Sequence, residues 1–431
     1  MINSKKMTRR ELLATVGKAG AAGALLVGAP SFASGSAGRV VVVGGGFGGA
    51  TAAKYLKRRN PAIQVTLIEP AREFMTCPFT NLYLGGLRTL QQQSHNYDEL
   101  RALGVTVVHD YADAVDAQKQ TVKVAGGQTF AYDKLVLSPG IDFRWNALEG
   151  YDEAAAQKAP HAWKAGAQTE LLKKQLDAMP DGGVFVMVAP ANPYRCPPGP
   201  YERISMVAHY FKTQKPKSKI LVLDPKDAFS KQGLFTDGWK RFYGDMIEWV
   251  PLSKDGKVVR VDANTLTVES EFGEKHKADV LNVIPPQKAG IIAERAGVTN
   301  ESGWVPVNPD TFESARVPNI YVVGDATVAA PMPKSGFVAN AQAKVAAAAI
   351  VNALAGRPAV KPSFINTCYS LIAPDYGISV AGVYAVQDGK IVETSGGLSP
   401  KDADADFRKL EAEYGVAWYN AIAQDTWGTQ A

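Results

Sequence analysis

Three cysteines carry the most reactive side chains of this 431-residue sequence, and each lies in a distinctive segment. Cys77 lies in FMTCPFTN, Cys196 in NPYRCPPGPYER and Cys368 in FINTCYSLIAP. If the protein is exported, an odd number of cysteines predicts one disulfide and one thiol that is engaged otherwise. The motif C-x-x-C-H does not occur, so we expect no c-type haem on this chain. The five histidines are scattered without the spacing of metal ligands, which predicts no metal site.

The segment before Cys196 reads as the strand of a nucleotide-binding unit without its phosphate loop. VFVMVAP (184–190) is an apolar strand pattern, but prolines follow where glycines would bind a phosphate. Proline has no N–H group to donate and fixes φ. Further on, ILVLDP ends in Asp224, the acidic residue of such a unit. The sequence therefore predicts a duplicated dinucleotide-binding fold that has lost its nucleotide, and a reductant other than NAD(P)H.

A complete dinucleotide-binding pattern stands near the start of the chain. RVVVVGGGFGGATAAKYL predicts a strand, a tight turn and a helix, with Gly44, Gly46 and Gly49 fitting G-x-G-x-x-G. The second strand, QVTLIEP, ends in Glu69, twenty residues past Gly49, where an acidic group holds ribose hydroxyls. The helix N-terminus would face the phosphates.

Two further segments resemble those of flavoproteins that bind two dinucleotides. KLVLSPG (134–140) looks like the strand at which such chains cross between domains, and NIYVVGDAT (319–327) looks like their late strand ending in Gly-Asp. The resemblance implies that Asp325 bonds the ribityl chain or pyrophosphate of FAD. An alternative is that Asp325 only caps a strand-to-helix turn.

The first 36 residues have the layout of an export leader. KKMTRRELL contains Arg9 and Arg10, and an apolar Gly/Ala-rich run and the small-residue stretch PSFASGSAG follow, which predicts a twin-arginine signal peptide and a periplasmic protein. A membrane anchor is the alternative, but glycines and Lys18 interrupt the apolar run. Residues 1–36 hold a net +4 of the chain's +5 charge, so little remains to attract nucleic acid or an anionic membrane.

Taken together, these motifs resemble the flavoprotein subunit of flavocytochrome c sulfide dehydrogenase, a relative of sulfide:quinone oxidoreductase. The resemblance covers nearly all of the chain after the leader. It rests on segments such as GGGFGGATAAKY, TCPFTN, PHAWKAG, YRCPPGPYER, PMPKSGFVAN and NTCYSLIAPDYGISVA.

The resemblance assigns roles by position. It implies that Cys77 is joined to the 8α carbon of FAD, and that Cys196 and Cys368 form a redox-active disulfide over the flavin. It further implies that Glu202 is a proton acceptor near that disulfide. MPKSGF is expected to point a helix N-terminus and Lys334 at the pyrimidine end of the flavin.

Each of these roles has an alternative. Cys196 and Cys368 could form a purely structural disulfide, worth ~4 kcal/mol or more for so long a loop. Cys77 could be a free thiol that packs as a small hydrophobe. Glu202 could be a solvated carboxylate at the start of a helix.

The implied activity is the oxidation of sulfide. Hydrosulfide can attack a disulfide by thiol exchange, which leaves a persulfide and a thiolate, and a flavin that accepts two electrons can release them singly to a haem. A separate c-type cytochrome subunit is therefore expected as partner. One alternative is a sulfide:quinone oxidoreductase, which would need an apolar C-terminal surface, whereas the stripe in DFRKLEAEYGVAWYNAI suits core or partner packing better. Another is a non-catalytic FAD-binding module.

The expected fold is α/β, with the glutathione reductase-like arrangement of two Rossmann-like domains and a C-terminal α+β interface domain. We expect the FAD domain in two parts, 37–149 and 287–357. The degenerate NAD-binding-like domain would lie between them at 150–286. The C-terminal domain, 358–431, would shield the flavin and carry the cytochrome interface. Outside the leader, no segment is expected to span a membrane.

Overall fold

The computed structural model describes residues 37–428, and the predicted signal peptide, 1–36, lies outside them. The described residues form mixed helices and strands. The strands are β1 Arg39–Val43, β2 Gln64–Ile68, β3 Phe74–Met75, β4 Ser94–His95, β5 Val105–Val108, β6 Ala112–Asp116, β7 Thr121–Val124, β8 Thr129–Ala131, β9 Lys134–Leu137, β10 Ile141–Phe143, β11 Val184–Val188, β12 Lys219–Leu223, β13 Ile247–Val250, β14 Val258–Asp262, β15 Thr267–Ser270, β16 Lys275–Lys277, β17 Val280–Val283, β18 Gln287–Ala289, β19 Val305–Pro306, β20 Ile320–Val322, β21 Thr327–Val328, β22 Ser363–Ala373, β23 Tyr376–Gln387 and β24 Lys390–Leu398. The α-helices are α1 Phe47–Arg59, α2 Thr80–Leu84, α3 Asp98–Ala102, α4 Ala167–Ala178, α5 Gly199–Gln214, α6 Gln232–Tyr243, α7 Ile291–Arg295, α8 Gly336–Leu354 and α9 Ala405–Trp427. Short 3₁₀ turns occur at Gln91–Gln93, Ala155–Gln157 and Leu252–Lys254.

The first sheet is parallel and has the order β20-β9-β1-β2-β5. The valines of β1 are buried on both faces, as expected for a parallel sheet covered on both sides. Val40 and Val42 pack on a cluster that includes Leu56 of α1 and Ile350 of α8. The predicted strand, turn and helix of the first glycine loop are therefore confirmed.

A second parallel sheet has the order β13-β12-β11-β17. Its central strand β11 is the VFVMV run, and α5 begins at Gly199, shortly after this strand ends. Two parallel sheets with helices confirm the predicted α/β class with two Rossmann-like units. The domain boundaries at 150, 287 and 358 stay a prediction.

The third sheet, β22-β23-β24, is antiparallel, and α9 follows it. Asp404 caps α9 by accepting a hydrogen bond from the N–H group of Phe407 at 2.8 Å. At the other end of α9, Trp427 is fully buried and donates its indole N–H to the carbonyl oxygen of Gly45 at 3.0 Å. The C-terminal helix thus packs directly on the first glycine turn.

Among residues 37–428, one helix, α8, is apolar and long enough to cross a membrane by length and composition. Half of its apolar window is buried inside the protein, where Ala343, Ala346 and Ile350 join the core cluster that contains α1. This packing is that of a core helix in a globular fold.

Candidate active site

The turn that contains Gly44, Gly46 and Gly49 leaves no room for side chains. Gly44 has φ +97°, in the left-handed region, and a Cβ atom there would overlap the carbonyl oxygen of Ser138. A Cβ atom at Gly49 would overlap the carbonyl oxygen of Gly44, so the third glycine allows α1 to pack closely on the turn. Gly46 faces the ring of Phe74, and a Cβ atom would lie 2.9 Å from it. Gly44 and Gly49 thus have the steric roles expected from the motif, and the approach of a pyrophosphate at Gly46 stays a prediction.

Glu69 follows β2 and lies beside the glycine turn. Its carboxylate accepts hydrogen bonds from the N–H groups of Gly45 at 2.7 Å and Ala71 at 3.0 Å. Burial raises its pKa, whereas these N–H groups and nearby His109 oppose the rise. Glu69 therefore lies where the motif places it, and its ribose contact stays a prediction.

A cavity of about 520 Å³ extends from this turn to all three cysteines. This volume is within the usual range of ligand sites. Eight of the ten predicted site residues line the cavity; they are Gly44, Gly46, Glu69, Cys77, Cys196, Glu202, Asp325 and Cys368. Gly49 packs against the carbonyl group of Gly44 and does not line the cavity itself. The fold thus brings to one site residues that are up to 324 positions apart in sequence, from Gly44 to Cys368.

Unpaired polar atoms point to a polar ligand in this cavity. Oδ1 of Asp325 and the indole nitrogens of Trp163 and Trp418 are buried and have no hydrogen-bond partner among the described residues. All three residues line the cavity. Oδ2 of Asp325 lies 4.0 Å from Arg195 Nε, and burial raises the pKa of Asp325. Since buried polar groups are nearly always paired, these atoms fit a ligand that carries both donors and acceptors.

The side chain of Lys334, another predicted site residue, does not line the cavity. Its ammonium group donates to the carbonyl oxygens of Asp325 at 2.8 Å and Thr327 at 2.7 Å, and lies 3.8 Å from the ring centre of Trp304. Burial lowers its pKa to about 8. The helix start that follows does reach the cavity, through Ser335 and Gly336. Lys334 thus joins the segment before α8 to Asp325 and Thr327. Its contact with the flavin stays a prediction.

Cys77 lies in the cavity wall between β3 and α2. Its Sγ contacts the carbonyl oxygen of Trp163 at 3.3 Å. The guanidinium group of Arg195 also donates to this carbonyl oxygen. The Cys77 thiol is thus held on a fixed wall of the site, and a covalent bond to a bound flavin stays a prediction.

Cys196 lies in a loop that is fixed at both ends. It has φ +57°, its N–H group donates to the carbonyl oxygen of Lys334 at 2.8 Å, and its own carbonyl oxygen accepts from Gly199 N–H at 2.8 Å. Burial raises the pKa of the Cys196 thiol, and nearby Cys368 and Glu202 raise it further. The backbone that would bind a phosphate in a nucleotide unit instead fixes a thiol.

Cys368 lies in the middle of β22, opposite Val380 of β23. Its sulfur contacts the amide of Asn366 at 3.6 Å. Burial raises its pKa, whereas Lys231 and the hydrogen bonds of Asn366 and Ser335 lower it. All three cysteines are free thiols in the structure, and the disulfide between Cys196 and Cys368 stays a prediction.

Glu202 lies in the first turn of α5 and is held by two donors. Its Oε2 accepts from Asn81 Nδ2 at 2.9 Å, and its Oε1 accepts from the N–H group of Leu371 at 3.1 Å. Burial raises its pKa, while Asn81, the charge of Lys231 and Leu371 oppose the rise. A carboxyl group with a raised pKa beside two thiols is suited to accept and return a proton.

Sequence reasoning assigned no role to Arg203, which organises the same wall. This side chain is 1% exposed and donates to the carbonyl oxygens of His161 at 3.0 Å and Ala162 at 2.6 Å, and to Asn282 Oδ1 at 3.0 Å. It also lies over the ring of Trp163 at 5.0 Å. A charged residue directly after Glu202 in a helix with an apolar face was the only available signal.

In the second Rossmann-like unit, the acidic residue after β12 is paired with other protein side chains. Asp224 is 0% exposed; its Oδ2 accepts from the Tyr201 hydroxyl at 2.6 Å and from Trp249 Nε1 at 3.0 Å, and its Oδ1 lies 2.6 Å from Lys226 Nζ. Lys226 also donates to the carbonyl oxygen of Pro190 at 2.6 Å. The acidic residue that would hold a ribose is thus enclosed and paired within the protein.

Within the described part of the chain, no group of three or more His, Cys, Asp or Glu side chains could hold a metal ion.

Three parts of the chain match known protein families. Residues 169–285 match the family model of the sulfide dehydrogenase (flavocytochrome c) flavoprotein chain, central. Residues 360–427 match flavocytochrome c sulphide dehydrogenase, flavin-binding, and residues 38–178 match pyridine nucleotide-disulphide oxidoreductase.

Similar proteins come from several organisms. A sulfide dehydrogenase (flavocytochrome c) flavoprotein chain from Chlorobaculum thiosulfatiphilum is 67% identical over 43 residues, which is 10% of this chain and 90% of that sequence. The mitochondrial sulfide:quinone oxidoreductase of Mus musculus is 24% identical over 302 residues, and the match spans 67% of this chain and 65% of the mouse protein. The crystal structure of the Aquifex aeolicus sulfide:quinone oxidoreductase has a TM-score of 0.70 at 20% identity, covering 91% of this chain and 92% of that one, which shows the shared fold.

Proposed function

Because the chain belongs to the family of flavocytochrome c sulfide dehydrogenase flavoprotein chains, we propose that it oxidises sulfide with bound FAD and passes the electrons to a c-type cytochrome. The observation that carries this proposal is the common cavity. It joins a dinucleotide-binding glycine turn to two thiols and a carboxyl group.

The residues present fit FAD. The turn at Gly44 would hold the pyrophosphate, Glu69 the adenosine ribose, and the unpaired Oδ1 of Asp325 a hydroxyl of the ribityl chain or a group near the pyrophosphate. Cys77 would be joined to the 8α carbon of the flavin. When bound, FAD accepts the two electrons that one sulfide loses on becoming zero-valent sulfur, and it releases them one at a time.

The chain's own groups would perform the sulfur chemistry. In the oxidised enzyme Cys196 and Cys368 form a disulfide, and hydrosulfide attacks one of its sulfur atoms. A new sulfur–sulfur bond forms as the old one breaks, so one cysteine becomes a persulfide and the other a thiolate. Glu202 takes the proton of the incoming hydrosulfide or of the persulfide, since its carboxylate faces the same cavity.

NAD(P)H is not part of this proposal. The enclosed carboxylate of Asp224 supports its exclusion, because a ribose would have to displace Tyr201, Trp249 and an ion pair with Lys226. Breaking such a buried pair costs about 3–5 kcal/mol.

A c-type cytochrome is the acceptor that we favour. Exposed apolar side chains of the C-terminal region offer a surface for a protein partner: Ile365, Val383, Leu398, Phe407, Leu410 and Tyr414. The mouse and Aquifex relatives are quinone-linked by name, which keeps sulfide:quinone oxidoreductase as the second candidate. We further place the protein in the periplasm, on the basis of the leader with Arg9 and Arg10.

The test is an anaerobic titration of the purified holoprotein with sulfide, followed by flavin absorbance. We expect sulfide to bleach the flavin absorbance of the wild type. We expect Cys196→Ser and Cys368→Ser to bind flavin normally but to show no bleaching. Reoxidation is then compared between a c-type cytochrome and a soluble ubiquinone analogue. Preference for the quinone favours the second candidate. Flavin that sulfide leaves oxidised in the wild type would reject the sulfide-oxidising function and leave a non-catalytic FAD-binding module.

A further inference from the structure

Lys231 is a buried cation beside the thiols, and the mechanism above does not use it. It directly precedes α6, has φ +62°, and its side chain is 3% exposed. Its ammonium group donates to Ser370 Oγ at 2.8 Å and contacts the carbonyl oxygens of Cys368 and Ile378, both at 3.4 Å. The cation is thus held against β22 and β23, at the level of Cys368.

No carboxylate of the described residues lies within ion-pair distance of this ammonium group. The acidic groups that face it are Cys368 on β22, Glu202 on α5, Cys196 in the preceding loop and Glu411 on α9. Glu411 is engaged elsewhere, with Arg408 Nη1 at 3.0 Å and the hydroxyl groups of two serines.

A buried charge without a counter-ion is unfavourable, so its retention points to an anion that forms nearby during the reaction. Burial lowers the pKa of Lys231 to about 8, against the opposing negative charges of Cys368 and Glu202. Lys231 is therefore mostly cationic at neutral pH, beside Cys368.

We propose that Lys231 stabilises the thiolate of Cys368, so that Cys368 is the sulfur that leaves and Cys196 the sulfur that hydrosulfide attacks. This inference rests on the proposed function. The sulfur of HS⁻ forms a bond to Cys196 Sγ, and the electron pair of the disulfide bond goes to Cys368 Sγ. Cys196 becomes a persulfide that keeps the proton or passes it to Glu202. No external oxidant or reductant enters this step.

The surroundings of the two sulfurs differ in the direction that the proposal requires. Burial and Glu202 disfavour the anion of Cys368 too, but Lys231 and the hydrogen bonds of Asn366 and Ser335 favour it. Around Cys196, burial and the negative groups Cys368 and Glu202 disfavour an anion, and only the charges of Arg195 and Lys231 oppose them. In thiol–disulfide exchange the sulfur with the lower thiol pKa leaves faster. Lys231 acts through Cys368, so it is a positioning residue.

The experiment measures thiolate formation without sulfide turnover. The holoenzyme is reduced, treated with iodoacetamide over a range of pH and digested, and alkylation of each cysteine is followed by mass spectrometry. In the wild type we expect Cys368 to react at lower pH than Cys196. In Lys231→Met the thiolate fraction of Cys368 at neutral pH should fall about tenfold or more. A nearby opposite charge such as that of Lys231 lowers the pKa of an acidic group by about one unit or more, and the variant lacks it.

Lys215→Met is the matched control. Lys215 is also a buried lysine, 8% exposed, but it donates only to the carbonyl oxygens of Asp177 and Met179, away from the cavity. Its variant should leave the Cys368 profile unchanged. An unchanged Cys368 profile in Lys231→Met would overturn the proposal. If Lys231→Met does not fold, the wild-type order of the two thiols decides, and Cys196 reacting at lower pH than Cys368 would overturn it as well.

A second readout uses sulfide. The oxidised wild type receives less than one equivalent of sulfide and is quenched in acid with an alkylating agent, and the persulfide is mapped by mass. We expect it on Cys196, and a persulfide on Cys368 would refute the assignment. If sulfide does not react with the wild type at all, the proposed function fails, whereas the alkylation profiles still decide the role of Lys231.

Discussion

Replacing Glu202 by glutamine separates the chemical role of this side chain from its structural role. The carboxylate accepts one hydrogen bond from Asn81 and one from the N–H group of Leu371. Glutamine has the same shape but a single acceptor oxygen, so one of these donors would face an NH₂ group. Leaving a buried donor unpaired costs about 1–3 kcal/mol. The variant, however, also removes a carboxyl group whose ionised form is costly to bury, which offsets part of this loss of stability.

The pH dependence of stability has a definite sign. Burial raises the pKa of Glu202 in the folded protein above its ordinary value of 4.5, against the opposition of Asn81, Lys231 and Leu371. The stability that this group contributes is therefore fully present below about pH 4.5 and is lost as the pH rises through the folded pKa. The melting temperature of Glu202→Gln, relative to that of the wild type, should thus be more favourable at pH 8 than at pH 5.

The rate of sulfide oxidation should fall in Glu202→Gln, although its relative stability at high pH improves. Removal of a positioned general base lowers a rate by about 10²–10⁴, which is about 3–5 kcal/mol of barrier. The assay is the anaerobic rate of flavin bleaching by sulfide, measured by stopped flow from pH 5 to 9. In the wild type this rate should fall as the pH drops through the pKa of Glu202, because the base must be ionised. In Glu202→Gln this acid limb should shrink to the part that protonation of hydrosulfide itself causes.

Glu411→Gln is the control. Glu411 is also buried, at 4% exposed, but it is paired with Arg408 and does not line the cavity. Its variant should melt earlier and keep the acid limb. Wild-type bleaching rates in Glu202→Gln, with the limb intact, would show that Glu202 is not the base.

Three further predictions test the flavin site and the second Rossmann-like unit. Cys77→Ser should release all its flavin in acid, whereas the wild type should keep flavin fluorescence on the denatured polypeptide; free flavin from the wild type would contradict the covalent bond. Gly49→Ala should be isolated with less than about a tenth of the normal flavin absorbance, because the added Cβ overlaps the turn, while Gly397→Ala, which meets open space, should retain its flavin. Lys226→Met should lower stability by about 3–5 kcal/mol, seen as an earlier melting transition, because it leaves the fully buried Asp224 without its cation.

Local motifs predicted the parts of the site that depend on the backbone. The glycines at 44 and 49 are needed for a left-handed turn and for close packing, and these requirements leave a sequence pattern that is independent of the rest of the fold. The strand before Cys196 and the acidic residues after β2 and β12, Glu69 and Asp224, were predicted from local patterns in the same way. For these elements sequence and structure agree.

The side-chain environment of the thiols could not be predicted in this way. Lys231 contacts Ser370, 139 residues later, and its neighbours in KQGLF give no sign of that contact. The motif that contains Lys334 gave no sign that its ammonium group contacts two carbonyl oxygens and the ring of Trp304. Both placements follow from long-range packing between elements, which no local pattern specifies.

The loop around Cys196 shows how a nucleotide-binding unit can serve sulfur chemistry. Parallel sheets bind ligands at the carboxyl ends of their strands, and β11 leads to this point as it would in an intact unit. Here the amide of Cys196 donates to the carbonyl oxygen of Lys334, so it is not free for a phosphate. The same bond fixes the loop against the segment that precedes α8, whose start lines the cavity. Because the prolines reduce the number of conformations open to the loop, the thiol is held at the cavity without a nucleotide to order it. Loss of the phosphate site and fixation of the thiol are thus two consequences of one change in sequence.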